Sequence, residues 1–134
     1  MTHVSRKNLK SNEEKIYKEA LITLLSNTSA KQLEQVLPIL ATKTEITMLY
    51  KRLAIIYLLS QNYSIEEIST LAKTTNQTII RIKYQLKDTP KEDIQIIYKK
   101  INSWKNITQL KMLVKSTLNT RLPSKLVKKT FNLP

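Results

Sequence analysis

The fold of this chain turns on one stretch, Ser64-Ile65-Glu66-Glu67-Ile68-Ser69-Thr70-Leu71-Ala72-Lys73-Thr74-Thr75-Asn76-Gln77-Thr78-Ile79-Ile80-Arg81-Ile82-Lys83-Tyr84-Gln85-Leu86-Lys87. Ser64 followed by Glu67 reads as a capping box, in which hydroxyl and carboxylate each take an amide left unpaired at a helix start. Ile68, Leu71 and Ala72 then recur at helical spacing and mark an inner face. Lys73-Thr74-Thr75 forms a turn, and a second helix is predicted from about Asn76 to Leu86, with Ile79, Ile82 and Leu86 inward. Asp88-Thr89-Pro90 ends it, because the residue before proline is pushed out of the helical region. A helix of about eight residues, a turn of about three or four and a helix of about eleven is the arithmetic of a helix-turn-helix. The packing slots agree: Ile68 and Ala72 face Ile79 and Ile82, and Ser69 is small where the helices come closest.

At about 100° per residue, the side of the second helix opposite its apolar stripe is centred on Gln77, Arg81 and Tyr84, with Ile80 and Asp88 beside it. Such side chains suit base edges: glutamine pairs with adenine, arginine with guanine or phosphate, and isoleucine meets a thymine methyl. The candidate base-facing residues are Asn76, Gln77, Ile80, Arg81 and Tyr84. The candidate phosphate contacts are Lys73, Thr75, Lys83 and Lys87, grouped around the helix and its N-terminus. An ordinary polar helix face, with Ile80 buried at a subunit contact, accounts for the same pattern.

Outward from this corner the chain also reads as helical. Glycine is absent and proline occurs only at positions 38, 90, 123 and 134, so tight hairpins have no support. Ser11 or Asn12 is predicted to cap a first helix running to Ser26, with Ile16, Ala20 and Leu24 on one face and Glu13 and Glu14 at its positive end. A second is predicted from about Ser29 to Ala41, with Leu33, Val36, Leu37 and Leu40 aligned and Pro38 bending or interrupting it. Thr44 is predicted to cap a third, Glu45 to Ser60, which is apolar all round from Leu53 to Leu59 and therefore central and buried. After the corner come a helix near Lys91 to Trp104 (Ile94, Ile97, Ile101, Trp104) and another near Ile107 to Asn119 (Leu110, Val114, Leu118). Arg121-Leu122-Pro123 breaks the pattern, and Ser124 caps a last turn. The expected fold class is all-α: a flexible N-terminal tail over 1–10, a helix-turn-helix domain over 11–90 and a basic helical extension over 91–134.

The 134 residues suit one domain with a modest core. Lysine and arginine number 23 against 10 acids, and the resulting +13 makes an acidic polymer or surface the natural partner class. The excess is uneven. Residues 1–93 hold 14 basic and 10 acidic side chains, whereas residues 94–134 hold 9 basic and none acidic. Solvated faces mix signs, so the acid-free run of Lys99, Lys100, Lys105, Lys111, Lys115, Arg121, Lys125, Lys128 and Lys129 points to a polyanion. The richness in lysine, asparagine, isoleucine and threonine also fits an AT-biased coding sequence, in which part of that charge is mutational drift.

Cysteine is absent and the sole histidine is His3, which excludes thiolate zinc sites, cysteine nucleophiles and a histidine triad within one chain. Without glycine there is no Walker loop and no dinucleotide fingerprint. Glu66 and Glu67 diverge on one helix, and Glu13-Glu14 and Glu92-Asp93 lie at helix starts where capping explains them. No catalytic site, metal or cofactor is expected. The longest apolar run is far short of the roughly 20 residues of a membrane helix, and Met1 to Lys10 is polar, so a cytoplasmic protein without a membrane partner is expected.

The segments Thr42-Lys43-Thr44-Glu45-Ile46, Leu49, Arg52-Leu53, Leu58-Leu59, Ser64 to Ile68 and Asn76 to Ile82 together carry a likeness. On them the chain resembles the Trp repressor superfamily, particularly its YerC/YecD-like branch, over about residues 12 to 90. The resemblance implies an intertwined, all-helical homodimer whose N-terminal helices wrap around the partner and whose two helix-turn-helix units enter successive major grooves of double-stranded DNA. It places Lys73 where the family commonly has a glycine in left-handed conformation, at a cost to lysine of about 1 kcal/mol. It also places Ile82 where the tryptophan-binding member has a glycine that makes room for the indole. Arg81 matches a ligand-contacting arginine, and Lys51 stands where another would be. A branched side chain at Ile82 fills that cavity, so tryptophan is not carried over as corepressor and no small-molecule effector is expected. Arg81 is kept as a DNA contact or a structural ion-pair partner.

The resulting expectation is a sequence-specific double-stranded DNA-binding transcriptional regulator, a repressor by resemblance, acting as a homodimer. A basic RNA- or ribosome-associated protein is the alternative, although aromatic residues for base stacking are sparse and Trp104, spaced from Ile101, reads as core. An adaptor that docks a partner helix on Ile80 and Tyr84 is the other.

Overall fold

A computed structural model describes residues 7–121, which form helices and connecting turns without a strand among them. The order is α1 (Ser11–Ser26), α2 (Ala30–Leu40), α3 (Lys43–Ser60), α4 (Ile65–Ala72), α5 (Asn76–Lys87), α6 (Lys91–Asn102) and α7 (Ile107–Arg121). They fall into two compact units, divided between Leu49 and Tyr50. The expectations for the first residues of the tail, including His3, for the break at Leu122-Pro123, for the Ser124 cap and for Lys125, Lys128 and Lys129 lie outside the described residues.

The first unit is set by its caps. The cap of α1 is neither Ser11 nor Asn12 but Lys10, whose amide donates to Glu13 Oε1 at 2.9 Å, so a carboxylate closes the helix start. Ser29 opens α2 in a reciprocal box with Gln32, whose amide donates to Ser29 Oγ and whose Oε1 accepts from the Ser29 amide, both at 3.2 Å. Pro38 does not interrupt α2, which continues to Leu40. It sits in the last turn, where its missing N–H forfeits the single bond to the Glu34 carbonyl, and the Ala41 amide still reaches the Leu37 carbonyl at 2.9 Å.

The cap of α3 is Thr42, not Thr44. Thr42 Oγ1 accepts from the Glu45 amide at 3.1 Å, and the Thr42 amide donates to Glu45 Oε1 at 2.9 Å. That second bond, with help from the Thr42 side chain, holds the Glu45 carboxyl below its ordinary 4.5. No described residue of this unit is fully buried; Ile16, Tyr17, Leu21, Ile22 and Leu24 of α1 and Ile39 and Leu40 of α2 are all exposed.

The second unit has a core. Ile55, Ile56, Tyr57 and Leu58 of α3 join Ile68 and Ala72 of α4, Ile79 and Ile82 of α5, and Val114 and Leu118 of α7 in one buried cluster. Each large aliphatic side chain fully removed from water there stabilises the fold by about 1.5–3 kcal/mol. α4 lies at the centre and packs against both α5 and α7. The expectation of a wholly buried third helix is therefore corrected: its last two turns are core, whereas Leu49 is 57% and Leu53 41% exposed, because nothing among the described residues covers that stretch.

Trp104 is also corrected, from core to surface, at 44% exposure. α6 ends at Asn102 with Ser103 as its cap, and the Trp104 amide bonds to the Ile101 carbonyl at 3.1 Å in the turn beyond, so the helical register does not reach it. α7 runs to Arg121 and shares its core with α4 through Val114 and Leu118.

Candidate nucleic-acid interface

The corner is built from local bonds. Ser64 Oγ accepts from the Glu67 amide at 3.1 Å while the Ser64 amide donates to Glu67 Oε1 at 2.9 Å, so α4 starts where the capping pattern places it. It stops at Lys73, whose φ of 53° and ψ of 55° are left-handed. This is the slot where the resemblance calls for glycine, and lysine occupies it because the turn is tied down. The Lys73 and Thr74 amides both reach the Ser69 carbonyl, and Ser69 Oγ donates to the Thr74 carbonyl at 2.7 Å. From α3, Lys51 Nζ donates to the Lys73 carbonyl at 2.9 Å. These bonds offset a backbone cost of about 1–2 kcal/mol.

Thr75 then caps α5: its Oγ1 accepts from the Thr78 amide at 3.3 Å and lies 3.0 Å from the Thr78 hydroxyl. Its oxygen thus serves the helix start, either hydroxyl of the Thr75 and Thr78 pair can be the donor, and the Asn76 and Gln77 amides of the first turn lack helical acceptors, as such amides do. Ile79 and Ile82 fasten the inner face to the core. The outer face is as the spacing predicts, with Asn76, Gln77, Ile80, Arg81 and Tyr84 exposed, Ile80 at 38% and Tyr84 at 62%. Lys73, Thr75, Lys83 and Lys87 are exposed around them. Arg81 has no polar partner among the described residues, which removes the ion-pair role within them. The Lys87 ammonium sits 5.0 Å from the centroid of the Tyr84 ring, so these two side chains form a cation–π pair at the end of α5.

Two contacts escaped the sequence pattern. Arg52 Nη1 donates to Gln85 Oε1 at 3.0 Å, and Lys51 reaches the turn as described. Bonds spanning 22 and 33 residues leave no trace in local spacing; the only signal was that Lys51 and Arg52 fall in the matching segment of the likeness.

A capped short helix, a left-handed turn and a second helix with a basic, polar outer face define a helix-turn-helix of the DNA-binding class. The outer side of α5, with Arg81, Lys83 and Lys87 against Asp88 at its cap, and Lys73 in the turn before it, suits a phosphate backbone, while Glu66 and Glu67 lie at the far start of α4. The family model described as Trp repressor protein matches residues 16–101, and the chain belongs to that family, whose members are regulatory DNA-binding proteins rather than enzymes. No curated protein and no solved structure matches the chain. The match runs from α1 into α6, so α7 lies beyond it. No helix of the described residues is long and apolar enough to cross a membrane.

Proposed function

We propose that the protein is a sequence-specific regulator of transcription, a repressor, that binds double-stranded DNA in the cytoplasm as a homodimer and does so without tryptophan. The observation that carries this is the division of α5, with Ile79 and Ile82 locked in the core and Gln77, Arg81 and Tyr84 turned out together. Gln77 and Arg81 read base edges, Ile80 meets a thymine methyl, and Asn76 and Tyr84 border them. Lys73, Lys83 and Lys87 neutralise phosphates, and Thr75, which caps the start of α5, contacts one beside them.

The exposed apolar residues of α1 and α2 support dimerisation, since a surface this apolar is ordinarily covered. Two copies then place their α5 helices in half-sites about 34 Å apart. Ile82, only 2% exposed, fills the core at the position where the tryptophan-binding member keeps space, which supports ligand-free action. We retain the YerC/YecD-like branch on the segments from Thr42 to Ile82 that carry the likeness, and assign the C-terminal helices to additional phosphate contacts through their lysines or to capping the dimer through their apolar stripes.

Selection from random duplexes, followed by mobility shift against the selected site and a structured RNA at two salt concentrations, tests this function. The expected result is a two-fold symmetric site bound better than RNA, with affinity falling steeply as salt rises. Equal affinity for RNA favours the ribosome-associated alternative, and binding to neither favours the adaptor.

A further inference from the structure

We infer that Lys51 and Arg52 are positioning residues that hold the reading helix in its binding geometry from both ends, making the corner competent without an effector; this rests on the DNA-binding function proposed above. α5 begins three residues after Lys73, whose carbonyl takes the Lys51 ammonium at 2.9 Å. Gln85, in the last turn of α5, takes the Arg52 guanidinium at 3.0 Å. Both donors stand side by side on α3, whose following turns, Ile55 to Leu58, are core. The same helix therefore anchors α5 before its start and near its end.

The need for two anchors follows from how little else fixes α5. Its fully buried residues are Ile79 and Ile82, one turn apart. The partly buried Leu86 extends that seam by a turn, so apolar packing sets the height of the helix above the core and leaves its tilt across that surface to other contacts. Tilt moves the ends most, and the ends carry Asn76 and Gln77 on one side and Tyr84 and Lys87 on the other. Base reading tolerates displacements of only about 1 Å, so a tilting helix is competent for a fraction of the time and binds correspondingly more weakly. The turn adds a second need. Lys73 is left-handed without being glycine, and its carbonyl lies past the end of α4, where the helix supplies no donor. Ser69 satisfies the Thr74 carbonyl, and Lys51 satisfies that of Lys73. A lysine and an arginine that reach from α3 to acceptors of the corner serve a different purpose from Lys83 and Arg81, which meet none among the described residues.

The test uses the full chain and the variants Lys51→Met and Arg52→Met, which remove the donor and keep the apolar stem, with Lys51→Arg as the conservative replacement. Affinity for the selected duplex is measured across a salt series, and amide exchange is followed at Thr74. The expected result is a Kd raised about twofold to tenfold in each Met variant, the factor one solvent-exposed hydrogen bond is worth, with a larger loss in the double variant. The slope of log K against log salt stays that of the wild type, Thr74 exchanges faster in Lys51→Met, and Lys51→Arg restores both. Unchanged affinity and exchange would overturn the inference. So would a slope reduced by about 0.9 in either Met variant, since that marks a phosphate contact rather than a positioning role. Should the wild type bind no duplex, the DNA function falls, and Thr74 exchange alone decides whether Lys51 holds the turn.

Discussion

The two units of this chain are built from similar material and use it in opposite ways. Residues 50–121 bury isoleucine, leucine, valine and tyrosine from α3, α4, α5 and α7 in one cluster. Residues 7–49 have equally well-formed helices, with capping boxes at α2 and α3, yet leave their largest apolar side chains in solvent. Helix formation and core formation are separate achievements here. Local caps suffice for the first, and the second needs long-range partners, which the unit up to Leu49 does not supply from its own described residues. The contrast supports assigning the second unit to DNA reading and the first to assembly.

The sharpest way to break the contrast is in the second core. Ile79→Ala and Leu118→Ala should each cost about 2–4 kcal/mol in urea unfolding, since both side chains are fully buried. The Leu118 variant matters more, because α7 lies outside the matched family region; a cost below about 0.5 kcal/mol would make that helix a surface appendage. Next in size is the first unit. Ile16→Ser combined with Leu21→Ser should leave unfolding of the second unit within about 0.5 kcal/mol and weaken dimer association about 10- to 100-fold in sedimentation equilibrium, from lost apolar burial. Unchanged association would remove α1 from the interface.

Smaller effects test the caps. Ser64→Ala should destabilise the corner by about 1 kcal/mol, read by denaturant unfolding, as both bonds of the box depend on that residue's placement. The smallest is a pH effect at Glu45. Its carboxyl is lowered by the Thr42 bonds, so its contribution to α3 is fully present above 4.5 and is lost as pH falls through the lowered value. The protection of the Thr42 amide, taken relative to its intrinsic exchange rate at each pH, should fall as the pH drops through the lowered value in the wild type and lose that dependence in Glu45→Gln.

Which of these features the sequence reveals follows from the range of the forces behind them. The helix-turn-helix was legible because Ser64, Glu67, Ile68, Ala72, Ile79 and Ile82 act within a few residues of one another, and periodicity turns directly into faces. The outward set on α5 came with it. The half-exposed α3 was not legible, since a run apolar on every side states that a helix wants cover without stating where cover exists. The cap of α3 was legible but passed over, since Thr42 and Glu45 have the same hydroxyl-to-carboxylate spacing as Ser64 and Glu67, whereas Thr44 has only Thr47 at that distance. Trp104 misled because its spacing continues a stripe two residues past the helix end. Lys51 and Arg52 act across the fold, where local pattern carries no information.

The most direct measurement compares wild type with the double variant Gln77→Ala, Arg81→Ala on the selected duplex and on an unrelated duplex at one salt concentration. Discrimination between the two should fall about 100-fold or more, the worth of two base-edge contacts, while the variant's melting temperature stays unchanged because neither side chain is buried. Discrimination retained in full by the variant would contradict the account, since sequence would then be read from some other face of the molecule.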